Sequence, residues 1–283
     1  MINVIKVMEN FFRPGNVTKL YKNKLHYIDL HIIDGCNLNC ARCYKFAPLS
    51  KGLGIVNKEQ TLKDLKQLST IEPNLKGISI IGGEPLISPD IIDYMYETRK
   101  LFPNTDITII TNGLAIPKLP KEFFTALISN NIMLAISKYF EESFYKDIIK
   151  VLKKNKCQNR YVFSQIKDLG CCMFLQMNLD ETGSQNPKEI WDKCSTKNDC
   201  VVLKEGKLWS CAASCMKYIL NNYFKTNLTD YPEDGISIYN NTYKDIIKFL
   251  KTPKKGCRYC TEDIYSAMYF PEHTSYNKSE WIK

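Results

Sequence analysis

The stretch Leu25-His26-Tyr27-Ile28-Asp29-Leu30-His31-Ile32-Ile33 is followed, after Asp34 and Gly35, by Cys36-Asn37-Leu38-Asn39-Cys40-Ala41-Arg42-Cys43. Its first part is an apolar run with few interruptions, the pattern of a buried parallel strand. Its second part sets three cysteines at x3 and x2 spacing directly behind that strand, so one short loop can wrap three thiols around a single centre. Three thiolates suit one face of a cubane iron–sulfur cluster and leave one iron open to a reactant. A zinc loop is the alternative. Zinc asks for four ligands in paired CxxC hairpins, whereas Tyr44 and Lys45 follow here.

Downstream of this strand, apolar runs and amphipathic stretches alternate. Gly77–Ile81, Asp106–Thr111, Ile132–Ser137, Tyr161–Gln165 and Met173–Met177 read as further strands. Gln60–Leu68, Ile91–Leu101, Lys121–Ser129 and Phe144–Lys153 read as helices between them. The alternation predicts βα units and a parallel sheet, open or closed into part of a barrel. The strand ends carry polar punctuation: Gly82-Gly83-Glu84-Pro85, Thr111-Asn112-Gly113 and Ser137-Lys138. Glycines at a strand end allow close backbone approach to a ligand, and a carboxylate beside them can accept from an ammonium group. In barrel-like folds such C-terminal strand ends gather the site.

The rhythm breaks after Leu179. Asp180 to Lys188 is polar and reads as a linker, giving an N-terminal segment 1–24, a core domain 25–188 and a C-terminal domain 189–283. The last part holds six of the twelve cysteines, a hairpin over Val201–Trp209 and a helix near Tyr243–Leu250, with too little regular structure for a large core of its own. The chain has 283 residues, lacks an apolar signal segment and has no run long enough to span a bilayer, which reads as a cytoplasmic protein. Twelve cysteines against three histidines, in a chain able to fold without staples, favour cysteine ligation of a metal centre in a reducing compartment over disulfides. The net charge of +9 comes from lysines spread along the chain and reads as a solvated surface rather than a nucleic-acid interface.

The Cys36, Cys40, Cys43 spacing resembles the radical S-adenosylmethionine (SAM) superfamily. The resemblance implies a 4Fe–4S cluster on these cysteines whose unique iron binds SAM, and reductive cleavage of SAM to a radical that abstracts hydrogen. It also implies a partial (β/α)6 TIM-like barrel and an electron donor such as flavodoxin or ferredoxin. Gly82, Gly83, Glu84 and Pro85 resemble the family's second motif, which binds the SAM amino group, and Thr111, Asn112 and Ser137 lie where similar proteins contact the ribose or carboxylate. The family usually has an aromatic residue before the third cysteine; here Arg42 stands there and Tyr44 follows.

Cys194, Gly206 and Cys211, with Cys257-Arg258-Tyr259-Cys260 downstream, resemble the twitch domain, a shortened SPASM domain. That resemblance implies a second, auxiliary 4Fe–4S cluster on Cys194, Cys211, Cys257 and Cys260. Cys215 can take the place of Cys211, and structural zinc is an alternative occupant. Cys171 and Cys172 read as buried apolar residues, while Cys157 and Cys200 have no assigned role. An auxiliary cluster suits the removal of an electron from a substrate radical. Phe46-Ala47-Pro48-Leu49-Ser50 resembles relatives of glycan or nucleotide-sugar metabolism, and about 24 residues before the first strand are too few for a leader-binding domain. The expected substrate is a small polar molecule of sugar or aminocyclitol type. A peptide or RNA substrate, or a non-catalytic zinc or redox module, are the alternatives.

Overall fold

Five parallel strands alternate with four helices over the first half of the molecule. The computed structural model describes residues 24–50, 52–164, 178–194, 197, 201–229, 231–261 and 273–283. The strands are β1 (Tyr27–His31), β2 (Gly77–Ile81), β3 (Asp106–Thr111), β4 (Met133–Ser137) and β5 (Tyr161–Ser164). Between them lie α1 (Lys58–Ile71), α2 (Ile91–Leu101), α3 (Lys121–Ser129) and α4 (Glu142–Lys154). The expected strand over Met173–Met177 lies outside the described residues, as do Cys171, Cys172 and Cys200.

The register separates two chemistries on the two faces of the sheet. Leu30, Ile80, Ile109 and Leu134 stand side by side across four strands, and so do Asp29, Ser79, Thr108 and Met133. The first row belongs to the main core, together with Leu65 and Leu68 of α1, Tyr94 of α2, Phe123 of α3 and Ile148 of α4. All four helices therefore pack on one face, as in a barrel-type sheet and unlike a doubly wound one. The opposite face carries polar groups and is where a site can form.

The sheet does not end where the linker was expected. β6 (Val202–Lys204) pairs parallel with β1, and β7 (Lys207–Trp209) and β8 (Gly235–Ser237) continue it antiparallel, giving the order β5-β4-β3-β2-β1-β6-β7-β8. The expected hairpin is β6–β7, and the expected helix is α7 (Tyr243–Leu250), which follows α5 (Pro187–Lys193) and α6 (Ala212–Phe224). α5 and α6 were not foreseen. In α6 the buried face is built from Ala212, Ala213, Cys215, Met216, Ile219 and Leu220, so Cys215 acts there as an apolar residue.

The C-terminal region owns a second core, which it shares with the first cysteine loop. Phe46 and Leu49 pack with Val202, Met216, Leu220, Tyr259, Trp281 and Ile282. Val202 stands beside Asp29 in register, so α6 covers the polar face of the sheet at its β1–β6 end. The segment at Asp180 is a tight turn rather than a loose linker: its carboxylate accepts from Thr182, Ser184 and Gln185. Its neighbour Leu179 bridges to both Cys260 and Ile282.

Candidate active site

Cys36, Cys40 and Cys43 follow β1 on a loop that the rest of the fold fixes from three sides. On one side Trp281 Nε1 donates to the Cys43 carbonyl at 3.1 Å, and Thr274 N donates to the Asn39 carbonyl at 2.8 Å. On another, Asn112 Nδ2 donates to Asn37 Oδ1 at 2.8 Å and faces the Cys36 sulfur at 3.8 Å. Leu38 N lies 3.4 Å from the same sulfur, and the backbone amides of Lys45, Phe46 and Ala47 point at Cys43. Burial pushes all three thiols up, Cys40 to about 12; Cys43 raises Cys36 and Cys40 further, and Cys40 adds to Cys36. Collecting them without a compensating cation is unfavourable; a metal centre reverses that sign.

The Gly-Gly-Glu-Pro segment forms the third side. A Cβ on Gly82 would meet the Ile33 carbonyl at 2.3 Å, and one on Gly83 the Gly35 carbonyl at 2.1 Å. The glycines thus let the end of β2 press against the chain that enters the cysteine loop, with Gly83 N donating to Ile33 O at 2.8 Å and Glu84 N to Gly35 O at 2.9 Å. The Glu84 carboxylate is buried and turned toward β3: it accepts from Leu86 N at 3.0 Å, Thr111 Oγ1 at 2.7 Å and Asn112 N at 2.8 Å. Three donors occupy most of its roughly four acceptor positions. Burial holds its pKa at about 7. Glu84 is therefore a positioning residue that ties β2 to Thr111 and Asn112, with Pro85 opening a short 3-10 turn behind it.

Of the remaining expected contacts, Thr111 is buried with its hydroxyl on Glu84, while Asn112 faces the loop. Ser137 is buried at the end of β4, where its carbonyl accepts from Tyr145 at 3.3 Å. Tyr44 lies half-buried against the second core, with Lys45 Nζ 5.8 Å from its ring centre.

Sequence reading missed a buried polar cluster immediately before Cys36. Asp34 accepts from His31 Nε2 at 2.7 Å and Lys204 Nζ at 2.9 Å, and Tyr218 donates to its other oxygen. These partners come from β1, β6 and α6, so the cluster bolts the cysteine loop to the C-terminal region. His31 and Lys204 hold the Asp34 carboxyl well below the usual range despite its burial, and burial lowers His31 to about 4, leaving the ring neutral. Asp34 is adjacent to the motif and could have been singled out; Lys204 and Tyr218 lie too far along the chain for any local pattern to show them.

Asp29 was missed as well. It sits on the polar face, receives a hydrogen bond from Ser79, and burial raises it to about 6, partly offset by Lys45. A half-buried carboxylate with that affinity can accept a proton near neutral pH.

The second cysteine set comes from three separate places. Cys194 ends α5, Cys211 caps the N-terminus of α6, and a 3-10 turn over Lys255–Tyr259 contains Cys257 and is capped by Cys260. Burial comes first in raising Cys211, Cys257 and Cys260, and Cys194 adds to each. Amides of Ala213 and Ser214 at the helix start point at Cys211. Cys215 lies one turn along α6, buried in the second core and facing Lys204 and Asp34, away from Cys194, Cys257 and Cys260. Cys157 is buried in the main core, behind the helices. Among the described residues no three His, Cys, Asp or Glu side chains converge tightly enough for a single ion.

Comparison with known proteins agrees with this geometry. A family model described as Radical SAM superfamily matches residues 30–170. The GTP 3',8-cyclase of Clostridium acetobutylicum is 32% identical over 100 residues, 35% of this chain and 30% of that protein. That of Limosilactobacillus fermentum is 30% identical over 141 residues, 47% of this chain and 40% of that one. The match spans less than half the length of either relative. In fold, the chain is similar to the crystal structure of BtrN in complex with AdoMet and 2-DOIA, with a TM-score of 0.52 and 18% identity over 86% of this chain and 98% of that one. No helix among the described residues is long and apolar enough to cross a membrane. With a parallel sheet backed by helices on one face, a three-cysteine loop behind its first strand and the family match over the same span, residues 30–170 are a Radical SAM superfamily domain.

Proposed function

We propose that this protein cleaves SAM reductively and oxidises a small hydroxylated substrate, of sugar or aminocyclitol type, with Cys36, Cys40 and Cys43 holding one 4Fe–4S cluster and Cys194, Cys211, Cys257 and Cys260 a second. Held by Cys36, Cys40 and Cys43, the first cluster would supply the electron for reductive cleavage of SAM to methionine and a 5′-deoxyadenosyl radical able to take a hydrogen atom from substrate. The chain's part is to gather three thiols and withhold a fourth, and to steady the loop through Asn112, Trp281 and the Asp34 cluster. α6, with Met216 and Lys204, covers one end of the polar face. Cys194, Cys211, Cys257 and Cys260 would hold a cluster able to accept the one electron that an alcohol-derived substrate radical must lose, together with one proton to a base, to become a carbonyl.

One observation carries the oxidative reading: both cysteine sets abut the same small core. Tyr44 and Phe46 from the first loop and Cys211 and Cys260 from the second pack in one cluster. An electron acceptor placed there borders the face on which substrate would lie.

Similarity to GTP 3',8-cyclases favours a second reading, a nucleotide substrate; it covers 35% to 47% of this chain in the two relatives named above. A screen of aminocyclitols, sugars and GTP with anaerobically reconstituted protein and reductant separates the two. The expected result is about eight irons per chain, and 5′-deoxyadenosine carrying deuterium from a labelled carbinol carbon. Formation of 5′-deoxyadenosine with GTP alone would favour the nucleotide, and none under any condition would sink both.

A further inference from the structure

Two buried lysines stand beside the second cysteine set. Lys217, on α6, is 4% exposed, and its ammonium lies 5.5 Å from the centre of the Tyr231 ring and 5.1 Å from that of Tyr259. Lys254, 4% exposed, sits 4.7 Å from the Trp191 ring centre and 3.9 Å from that of Phe249, and donates to the carbonyls of Phe249 and Thr252 at 2.6 and 2.5 Å. Among the described residues neither reaches a carboxylate within ion-pair distance. The one nearby acid, Asp234, has an oxygen on the Gly256 amide at 2.7 Å, which shapes the turn bearing Cys257 and Cys260.

A buried ammonium without an anion is costly, and buried charges are as a rule paired or set against a metal centre. Both lie against the turn that carries Cys257 and Cys260: Lys217 stands over the ring of Tyr259, which lies between those cysteines in sequence, and Lys254 caps the start of the turn, with Asp234 in electrostatic reach of both. Two cations against one carboxylate leave a positive surplus around four thiols. We propose that Lys217 and Lys254 are the counter-charges of the Cys194, Cys211, Cys257, Cys260 set, and that they raise the reduction potential of the centre it holds. The assignment rests on the second-cluster reading above. Four thiolates give such a centre net negative charge, and reduction adds one more, so a neighbouring cation favours the reduced form. That is what an acceptor of a substrate electron needs.

The test uses the full chain with Cys36, Cys40 and Cys43 all changed to Ala, reconstituted anaerobically, so that only the second centre remains. Its potential is read by redox titration with electron paramagnetic resonance, alongside iron and sulfide content. Lys217→Met is expected to keep about four irons and to weaken reduction about tenfold, which is about 59 mV lower for one electron. Lys254→Met is expected to act in the same direction, and Lys217→Arg, which keeps the charge, to restore most of the loss. Full iron content with unmoved potentials in both Met variants would overturn the proposal and leave the second cluster standing. A parent lacking iron altogether would overturn the cluster reading and this assignment together. Should either Met variant lose its fold, Lys217→Gln against Lys217→Arg measures the same charge.

Discussion

The two cysteine sets gather buried thiols by opposite means. The first is contiguous, three cysteines on one loop, and its charge environment comes from backbone amides and Asn112. The second is scattered over two helix ends and one turn, and its environment comes from a helix start and two buried lysines. A contiguous loop of three leaves a corner free for a reactant; four thiols close the shell. On the proposed reading, local spacing would make a reactive centre and tertiary convergence a saturated one.

The sharpest way to break that contrast is Cys40→Ala. It should abolish 5′-deoxyadenosine formation and lower iron by about half, while Cys257→Ala should spare SAM cleavage and stop substrate oxidation. Persistent SAM cleavage in Cys40→Ala would show that the open corner lies elsewhere.

Lys204→Met comes next in size. It strands Asp34 without its cation, and leaving one member of a buried pair alone costs about 3–5 kcal/mol. Chemical denaturation checks this; a loss below about 1 kcal/mol would mean that the Asp34 cluster does not join loop to C-terminal region.

Gly83→Ala drives a methyl into the Gly35 carbonyl and is expected to cost about 3 kcal/mol, with weaker cluster uptake at the first set alone. Equal losses of iron at both sets would erase the distinction between them.

The smallest effect is a pH slope. His31 is held neutral at about 4, below its ordinary 6.5. Its contribution is therefore complete above about pH 6.5 and is lost as pH falls toward 4, at up to about 1.4 kcal/mol per pH unit. Asp29 and Glu84, raised to about 6 and 7, work in the opposite sense as pH climbs through those values. The difference between wild type and His31→Asn in denaturation midpoints from pH 7 to 4 isolates the histidine. Parallel curves would indicate that the ring is charged in the folded protein.

Sequence alone determined the parallel βα order and the first cysteine loop, because both are written in short windows: strand-length apolar runs, helical periodicity, and a spacing of three and two between thiols. It also named the four cysteines of the second set, though only by resemblance. Tertiary structure decided what those residues do. Glu84 was legible as part of a strand-end motif, and only the tertiary structure shows that it also braces β2 against β3 through Thr111 and Asn112. Cys215 was an alternative to Cys211 on spacing, and the structure buries it on the apolar face of α6, one turn beyond Cys211 at the helix start. Lys204, Tyr218, Lys217 and Lys254 carried no local signal at all. A buried charge acquires meaning only from its neighbours, and packing brings those together from distant parts of the chain.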